Sequence, residues 1–437
     1  MKKRKKILPS ISAQIKADYL KTINSKSNLI CTAPFTGLYF TPDGTVKPCC
    51  TLLNNFKFGT YPSDSIKEIL KSENRKTLQK YIKKDSLEFG CQNCLKNIEI
   101  GNYKGSISSI YQKYKYGRYP KVIDFELSDF CNLDCEMCYL HSNKQLQENI
   151  YDNTFIDEIK PYLFRAEATR FYGGEPFLIK IYRDIWDIII AENPKCNVHI
   201  QTNATIFDEY VKSLLHKADV FIGVSLDAMN PELYEEIRRG AKFENVKKNI
   251  LSFNEIMKSQ GKSLLISFCP MPKNWQELIP VVLFAESINA KVFFNTVNFP
   301  STYNLNYLPS SELIKIKENI VADFTTHNMD INKNKNEISN FIDGLNKIIE
   351  KQIEIEKEYT WLSLSEFNEL LYKLINKKAL VKELIELLTL SGFKEKFSPY
   401  IIAEICTSDI NSLETLVESI VKNQDIDYAR KLLVINN

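Results

Sequence analysis

Between residues 121 and 297, short runs rich in β-branched and aromatic side chains alternate with longer stretches whose apolar positions recur at helical spacing. The short runs fall at 122–127, 169–172, 198–202, 220–225, 264–268 and 292–297. The helical stretches between them include 178–190, 208–217, 243–259 and 275–288. Strands separated by crossover helices pair in parallel, since a tight turn cannot return the chain in the same direction. The pattern therefore predicts an α/β fold, a partial (β/α)6 barrel of TIM-like kind, with its chemistry where strands end and loops begin.

The flanks read differently. Runs at 37–40 and 45–47 enclose Asp43-Gly44, a dipeptide suited to a tight hairpin, which delivers Cys49 and Cys50 at its end. A helix is predicted over 65–83, with Asp64 or Ser65 as its cap, and Cys91-Gln92-Asn93-Cys94 follows. Beyond residue 300 the pattern is helical, at 311–324, 339–356, 365–390 and 412–427. Three parts result: a small cysteine-rich module at 1–118, an α/β core at 119–300, and a mostly helical region at 301–437.

Composition narrows the classes. The 437 residues are 44% hydrophobic and 25% charged, and 57 basic against 54 acidic side chains leave a formal charge of +3. That balance predicts neither a nucleic-acid nor a membrane-surface partner. The basic run at 2–6 reads as a solvated terminus. No apolar run reaches the ~18 residues of a membrane span, and no export signal follows the basic start, so a cytoplasmic location is expected. Eleven cysteines in such a chain point to metal binding or catalysis before disulfides.

Most of those cysteines precede residue 139. Cys131, Cys135 and Cys138 follow the run at 122–127, so three thiols share one loop at a strand's carboxyl end. Three thiolates can hold three irons of a cubane cluster and leave the fourth open. A zinc site is the alternative, but it wants a fourth ligand, for which only His141 is near. Downstream stands Tyr172-Gly173-Gly174-Glu175-Pro176, where glycines permit close backbone approach to a ligand.

CxxxCxxC followed by this glycine pair resembles the radical S-adenosylmethionine (SAM) superfamily over about 121–297. The resemblance implies that Cys131, Cys135 and Cys138 are the catalytic cluster ligands. It also implies that SAM is chelated by the open iron and cleaved by one electron to a 5'-deoxyadenosyl radical that takes hydrogen from substrate. Implied SAM contacts are Met137, Gly173, Gly174, Glu175, Pro176, Asn203, Ser225, Asp227 and Arg238. Glu175 either orients its loop or touches the ligand. Asn203, Ser225 and Asp227 also suit ordinary turn and cap chemistry, and Arg238 or Arg239 also suits a solvated helix face.

In front of this core, Cys31, Cys49, Cys91 and Cys94 supply four thiolates. Phe40-Thr-Pro-Asp-Gly-Thr-Val-Lys-Pro-Cys49, the following Ile66-Lys-Glu-Ile-Leu70 and the closing CxxC resemble the auxiliary-cluster modules called twitch and SPASM domains. Five cysteines suit one auxiliary 4Fe-4S cluster, the twitch type, with Cys50 either an alternative to Cys49 or a bystander. Placed before the core, the module departs from the usual order. Four-thiolate zinc is its alternative reading.

The resemblance implies an enzyme that modifies a peptide, fed by an electron donor such as flavodoxin or ferredoxin. A small metabolite, a sugar or amino-acid derivative, is the alternative substrate, and a non-catalytic zinc-stapled binding protein is the alternative of another class. Cys196, Cys269 and Cys406 are read as buried apolar residues, with a hydrogen donor or thiyl site facing the radical as the alternative for Cys269, which ends a strand.

Overall fold

The computed structural model describes residues 9–52, 56–87, 89–99, 101–103, 105–138, 150–297, 301–360 and 362–390, with 397, 402, 403, 405, 406, 413, 414, 417, 418 and 421. The basic run at 2–6 and His141 lie outside the described residues, as does most of the helix predicted at 412–427. The chain forms two compact units: residues 1–134, 140–224 and 244–264 in the first, and 135–139, 225–243 and 265–437 in the second.

In the first unit, parallel strands run in the order Val220–Ser225, Asn197–Thr202, Ala168–Phe171, Val122–Phe125 and Gly37–Phe40. Thr45–Lys47 and then Gly59–Thr60 continue the sheet antiparallel. The hairpin at Asp43-Gly44 forms as expected, with Gly44 at φ +81°. The first strand of the cysteine-rich module is thus hydrogen-bonded into the sheet beside Val122–Phe125, with Tyr39 opposite Asp124. Nothing in the local pattern announces that pairing.

Crossover helices Asn153–Leu163, Lys180–Glu192 and Glu209–Lys217 cover one sheet face. Asp152 starts the first of them by accepting the N–H groups of Thr154 and Phe155. Alternation along the strands sends Phe125 and Phe171 to that face, where they meet Phe155, Tyr182 and Trp186 in ring contacts of 5.0 to 6.4 Å. The opposite face takes the intervening residues. Asp124 and Arg170 are register partners there, as are Arg170 and His199, and His199 and Phe221. Among the described residues the strand pairing is an open series that closes no ring, so the predicted barrel is at most partial.

In the second unit Leu265–Phe268 pairs in parallel with Lys291–Phe294, and helices Ser310–Thr326, Lys335–Glu358, Leu364–Leu374 and Lys378–Leu390 follow. Two predicted helices are each divided. The stretch at 65–83 becomes Ile66–Ile69 and Glu73–Ile82, because Ser65 and Ser72 each cap a helix of their own. The stretch at 365–390 breaks at 375–377, where the Glu414 carboxylate accepts the N–H groups of Asn376 and Lys377. A partner almost forty residues away thus starts the second helix. Among the described residues no helix is long and apolar enough to cross a membrane.

Candidate functional site

Cys31 precedes the short helix Ala33–Thr36, Cys49 follows the Thr45–Lys47 strand, and Cys91 stands just before helix Gln92–Glu99, which carries Cys94. The four line one cavity in the first unit, with Leu52, Leu87 and Ile107 among its apolar walls. Cys50 is exposed and does not line it. Burial, and then the neighbouring thiols, push the Cys31 thiol well above its ordinary value, and burial with the Cys94 thiol lifts Cys49 to about 11. Burial raises Cys91 as well. An apolar pocket holding four thiols disfavours free thiolates, whereas metal ions that share their charge favour them. The cavity therefore fits a thiolate-held metal group. Among the described residues no three His, Cys, Asp or Glu side chains converge closely enough for a single metal ion.

The loop after Val122–Phe125 leads to the cysteine triplet. Residues 172–175 are laid along it: Tyr172 N–H donates to Phe125 O (2.8 Å), Gly174 N–H to Ser128 O (3.0 Å), and Glu175 N–H to Phe130 O (2.9 Å). Contact this close requires the glycines. Gly173 stands at φ +105°, and a Cβ on Gly174 would lie 1.9 Å from the Phe130 carbonyl oxygen. Glu175 is fully buried, and its carboxylate accepts the Phe177 N–H (3.2 Å), the Thr202 hydroxyl (2.7 Å) and the Asn203 N–H (2.8 Å). Of the two roles left open for Glu175, orienting its loop is the one that this geometry displays. Pro176 starts the buried turn Pro176–Leu178.

Asn203, at the end of Asn197–Thr202, donates through Nδ2 to Asn132 Oδ1 (3.0 Å) and lies 3.7 Å from Cys131 Sγ. Cys131 belongs to the first unit, and Cys135 and Cys138 to the second. In that second unit Arg238 Nη1 is 3.8 Å from Cys135 Sγ, and its Nη2 pairs with Asp227 at 2.5 Å. Asp227 and Arg238, expected as separate ligand contacts, thus form a buried ion pair with one another. Asp227 Oδ1 also accepts the Cys269 N–H (2.8 Å), and Ser225 is half-buried at the end of its strand. Burial alone would pull the Arg238 guanidinium down, but Asp227 and the Cys135 thiol hold it protonated. Arg239 is exposed. Arg238 Nε, in a side chain 8% exposed, has no hydrogen-bond partner. An unmatched buried donor beside the Cys135 thiol suits an anionic group bound there. Met137 packs with Ile237, Met271 and Val297, with Cys135 and Cys269 against the same cluster.

Sequence reasoning missed several groups. Lys273 pairs with Glu136, inside the cysteine motif, and with Glu236. Asp124 and Arg170 form a buried two-pronged pair (2.5 and 2.7 Å), closed by the Tyr111 hydroxyl at 2.7 Å from each. His199 lies stacked on Phe221, both exposed on that sheet face. Spacing carries no trace of these meetings.

The model of the radical SAM superfamily matches residues 125–284, and that of SPASM, an iron-sulfur cluster-binding domain, matches residues 31–95. A probable GTP 3',8-cyclase of Methanocaldococcus jannaschii is 26% identical over 180 residues, 41% of this chain and 59% of the relative. The GTP 3',8-cyclase of Clostridium botulinum is 29% identical over 168 residues, 37% of this chain and 48% of the relative. The chain thus spans less than two thirds of these relatives' lengths. Among solved structures, Streptococcus suis SuiB covers 58% of this chain and 59% of its own at 17% identity, with a TM-score of 0.37. A radical SAM domain implies a 4Fe-4S cluster and SAM, and a SPASM domain an auxiliary iron-sulfur cluster. With the loop that leads to its cysteine triplet bound along a glycine turn and four further thiols around one cavity, the chain carries a radical SAM domain over residues 125–284, preceded by a SPASM iron-sulfur cluster-binding domain over 31–95.

Proposed function

We propose that this protein cleaves SAM reductively and uses the resulting 5'-deoxyadenosyl radical to abstract hydrogen from a peptide substrate. The observation that carries the reading is the backbone zipper between 128–130 and 174–175, which draws the glycine turn to within hydrogen-bond distance of the loop leading to Cys131. When bound, the cluster and SAM supply the one-electron chemistry that generates the radical. Cys131, Cys135 and Cys138 hold the cluster. Gly173 and Gly174 keep the backbone bare where SAM approaches, and Asn203 and Arg238 present hydrogen-bond donors beside the Cys131 and Cys135 sulfurs. Cys31, Cys49, Cys91 and Cys94 hold an auxiliary cluster, with Cys50 left out of its ligand set. The reducing equivalent comes from a flavodoxin- or ferredoxin-like donor, in keeping with a cytoplasmic protein.

The peptide rests on the cluster-binding domain in front of the core, since enzymes with such modules often modify peptides. A small-metabolite substrate is the second reading, favoured by the curated relatives, which are GTP cyclases.

Anaerobic reconstitution tests the chemistry. About eight irons per chain are expected, two cubanes' worth, with 5'-deoxyadenosine released after reduction in the presence of SAM and abolished by Cys135→Ala. A colourless protein holding zinc and releasing no 5'-deoxyadenosine would refute it. Mass spectrometry of products from the peptide and small-molecule fractions of a cell extract separates the two substrate readings.

A further inference from the structure

Two hydroxyl-bearing residues, Thr51 and Ser108, are among those that line the four-cysteine cavity. Thr51 Oγ1 already has a sulfur neighbour, Cys49 Sγ at 3.7 Å. Ser108 differs, because its oxygen sits between two other hydroxyls: Tyr19 at 2.6 Å and Ser106 at 2.7 Å. All three residues are buried, with exposures of 0%, 1% and 1% for Tyr19, Ser106 and Ser108. The Cys31 and Cys94 thiols lie near enough to bear electrostatically on the Tyr19 phenol.

Counting protons sets the direction. Each hydroxyl carries one, the phenol included at neutral pH. Two contacts use two protons and leave one over. If the chain of bonds ran one way through Ser108, the spare proton would sit on Ser106 or on Tyr19, neither of which lines the cavity. A buried donor without an acceptor costs about 1–3 kcal/mol. If Tyr19 and Ser106 both donate to Ser108, the spare proton is carried by the one residue of the three that lines the cavity with the cysteines. Of the three arrangements, it is the one that can offer the spare proton to a thiolate of the cavity.

We infer that Ser108 donates a hydrogen bond to a thiolate of the auxiliary cluster, Cys31 or Cys94, and raises that cluster's reduction potential, with Tyr19 and Ser106 as the positioning residues that aim it. This rests on the reading that the front cavity holds an iron-sulfur cluster. Hydrogen bonds to cluster sulfurs stabilise the more negative, reduced state, which is how a protein moves such potentials. Donation from two neighbours also polarises the Ser108 hydroxyl and strengthens its outgoing bond.

The test is a redox titration of the full-length, reconstituted protein followed by electron paramagnetic resonance, taking as auxiliary the signal that added SAM does not perturb. Ser108→Ala is expected to shift its midpoint to more negative potential with iron content unchanged. Ser108→Thr, which keeps the hydroxyl, is expected to hold the original midpoint. Tyr19→Phe is expected to move it the same way as Ser108→Ala but less, and serves alone if Ser108→Ala loses its iron. A wild-type protein with two clusters whose auxiliary midpoint is the same in Ser108→Ala, or in Tyr19→Phe where that variant stands alone, overturns the inference and leaves the functional reading intact. A wild-type protein with only about four irons per chain, or with zinc in the cavity, overturns both this inference and the auxiliary-cluster assignment, and leaves SAM cleavage at the cysteine triplet to its own test.

Discussion

The Glu175 carboxylate accepts the backbone N–H of Asn203 at 2.8 Å, so the residue after the glycine pair and the residue that ends the next strand are held by one buried group. Thr202 and Phe177 donate to the same carboxylate. Three donors on a side chain with no solvent exposure make it a structural pin between two loops that the cofactor reading places around SAM.

Removing that pin is costly. Glu175→Ala strands three buried donors, and a loss of about 3 kcal/mol is expected on the usual cost of unmatched buried polar groups. Glu175→Gln keeps an acceptor and loses roughly half as much. Urea unfolding of the three proteins measures the difference, and equal midpoints for wild type and Glu175→Ala would contradict the pin.

The glycine turn predicts a steric result. A Cβ on Gly174 meets the backbone of Phe130, which has no flexible end to move aside. Gly174→Ala should push the turn off the 128–130 loop and weaken SAM binding at least tenfold by equilibrium dialysis, about 1.4 kcal/mol or more. Gly344 is the control, a glycine inside helix Lys335–Glu358 with nothing within 4 Å of an added Cβ. Gly344→Ala should leave SAM binding unchanged and stabilise the protein by roughly 0.5–1 kcal/mol.

Cysteine replacement separates ligands from neighbours in the front cavity. Cys31→Ser, Cys49→Ser, Cys91→Ser and Cys94→Ser should each lower bound iron towards one cubane, about four irons per chain. Cys50→Ser, altering a thiol outside the cavity lining, should leave the iron count as in wild type. Iron and sulfide assays on the anaerobically reconstituted variants give the answer, and iron lost only in Cys50→Ser would reverse the assignment of Cys49.

The Asp124 and Arg170 pair predicts an asymmetric double-mutant cycle. Arg170→Ala leaves a carboxylate with no solvent exposure facing only the Tyr111 hydroxyl, a loss of about 3–5 kcal/mol. Arg170→Lys recovers little, because an ammonium cannot supply the planar fork that meets both carboxylate oxygens. Arg170→Met combined with Asp124→Asn should be less damaging than Arg170→Ala, which thermal unfolding of the set will show.

Much was legible in the chain itself, since periodicity, turn dipeptides and cysteine spacing are local properties. The alternation of strand and helix, the Asp43-Gly44 hairpin, the cysteine triplet at a strand's end and the glycine turn all lie within stretches whose physics is set by near neighbours. The helix breaks at Ser72 and at 375–377 were less legible, because apolar periodicity runs through both. Only a capping hydroxyl in one case, and the distant Glu414 in the other, interrupts the backbone bonds.

Tertiary structure alone decided which residues meet across long separations. It paired Gly37–Phe40 with Val122–Phe125, set Cys49 and not Cys50 in the cavity, joined Asp227 to Arg238, and placed Tyr19 against Ser108. Residue types declare what chemistry a side chain can do. Whether it does so depends on burial and on partners brought from elsewhere by the packing of apolar faces, and a polar residue leaves no periodic signature of the partner it will find.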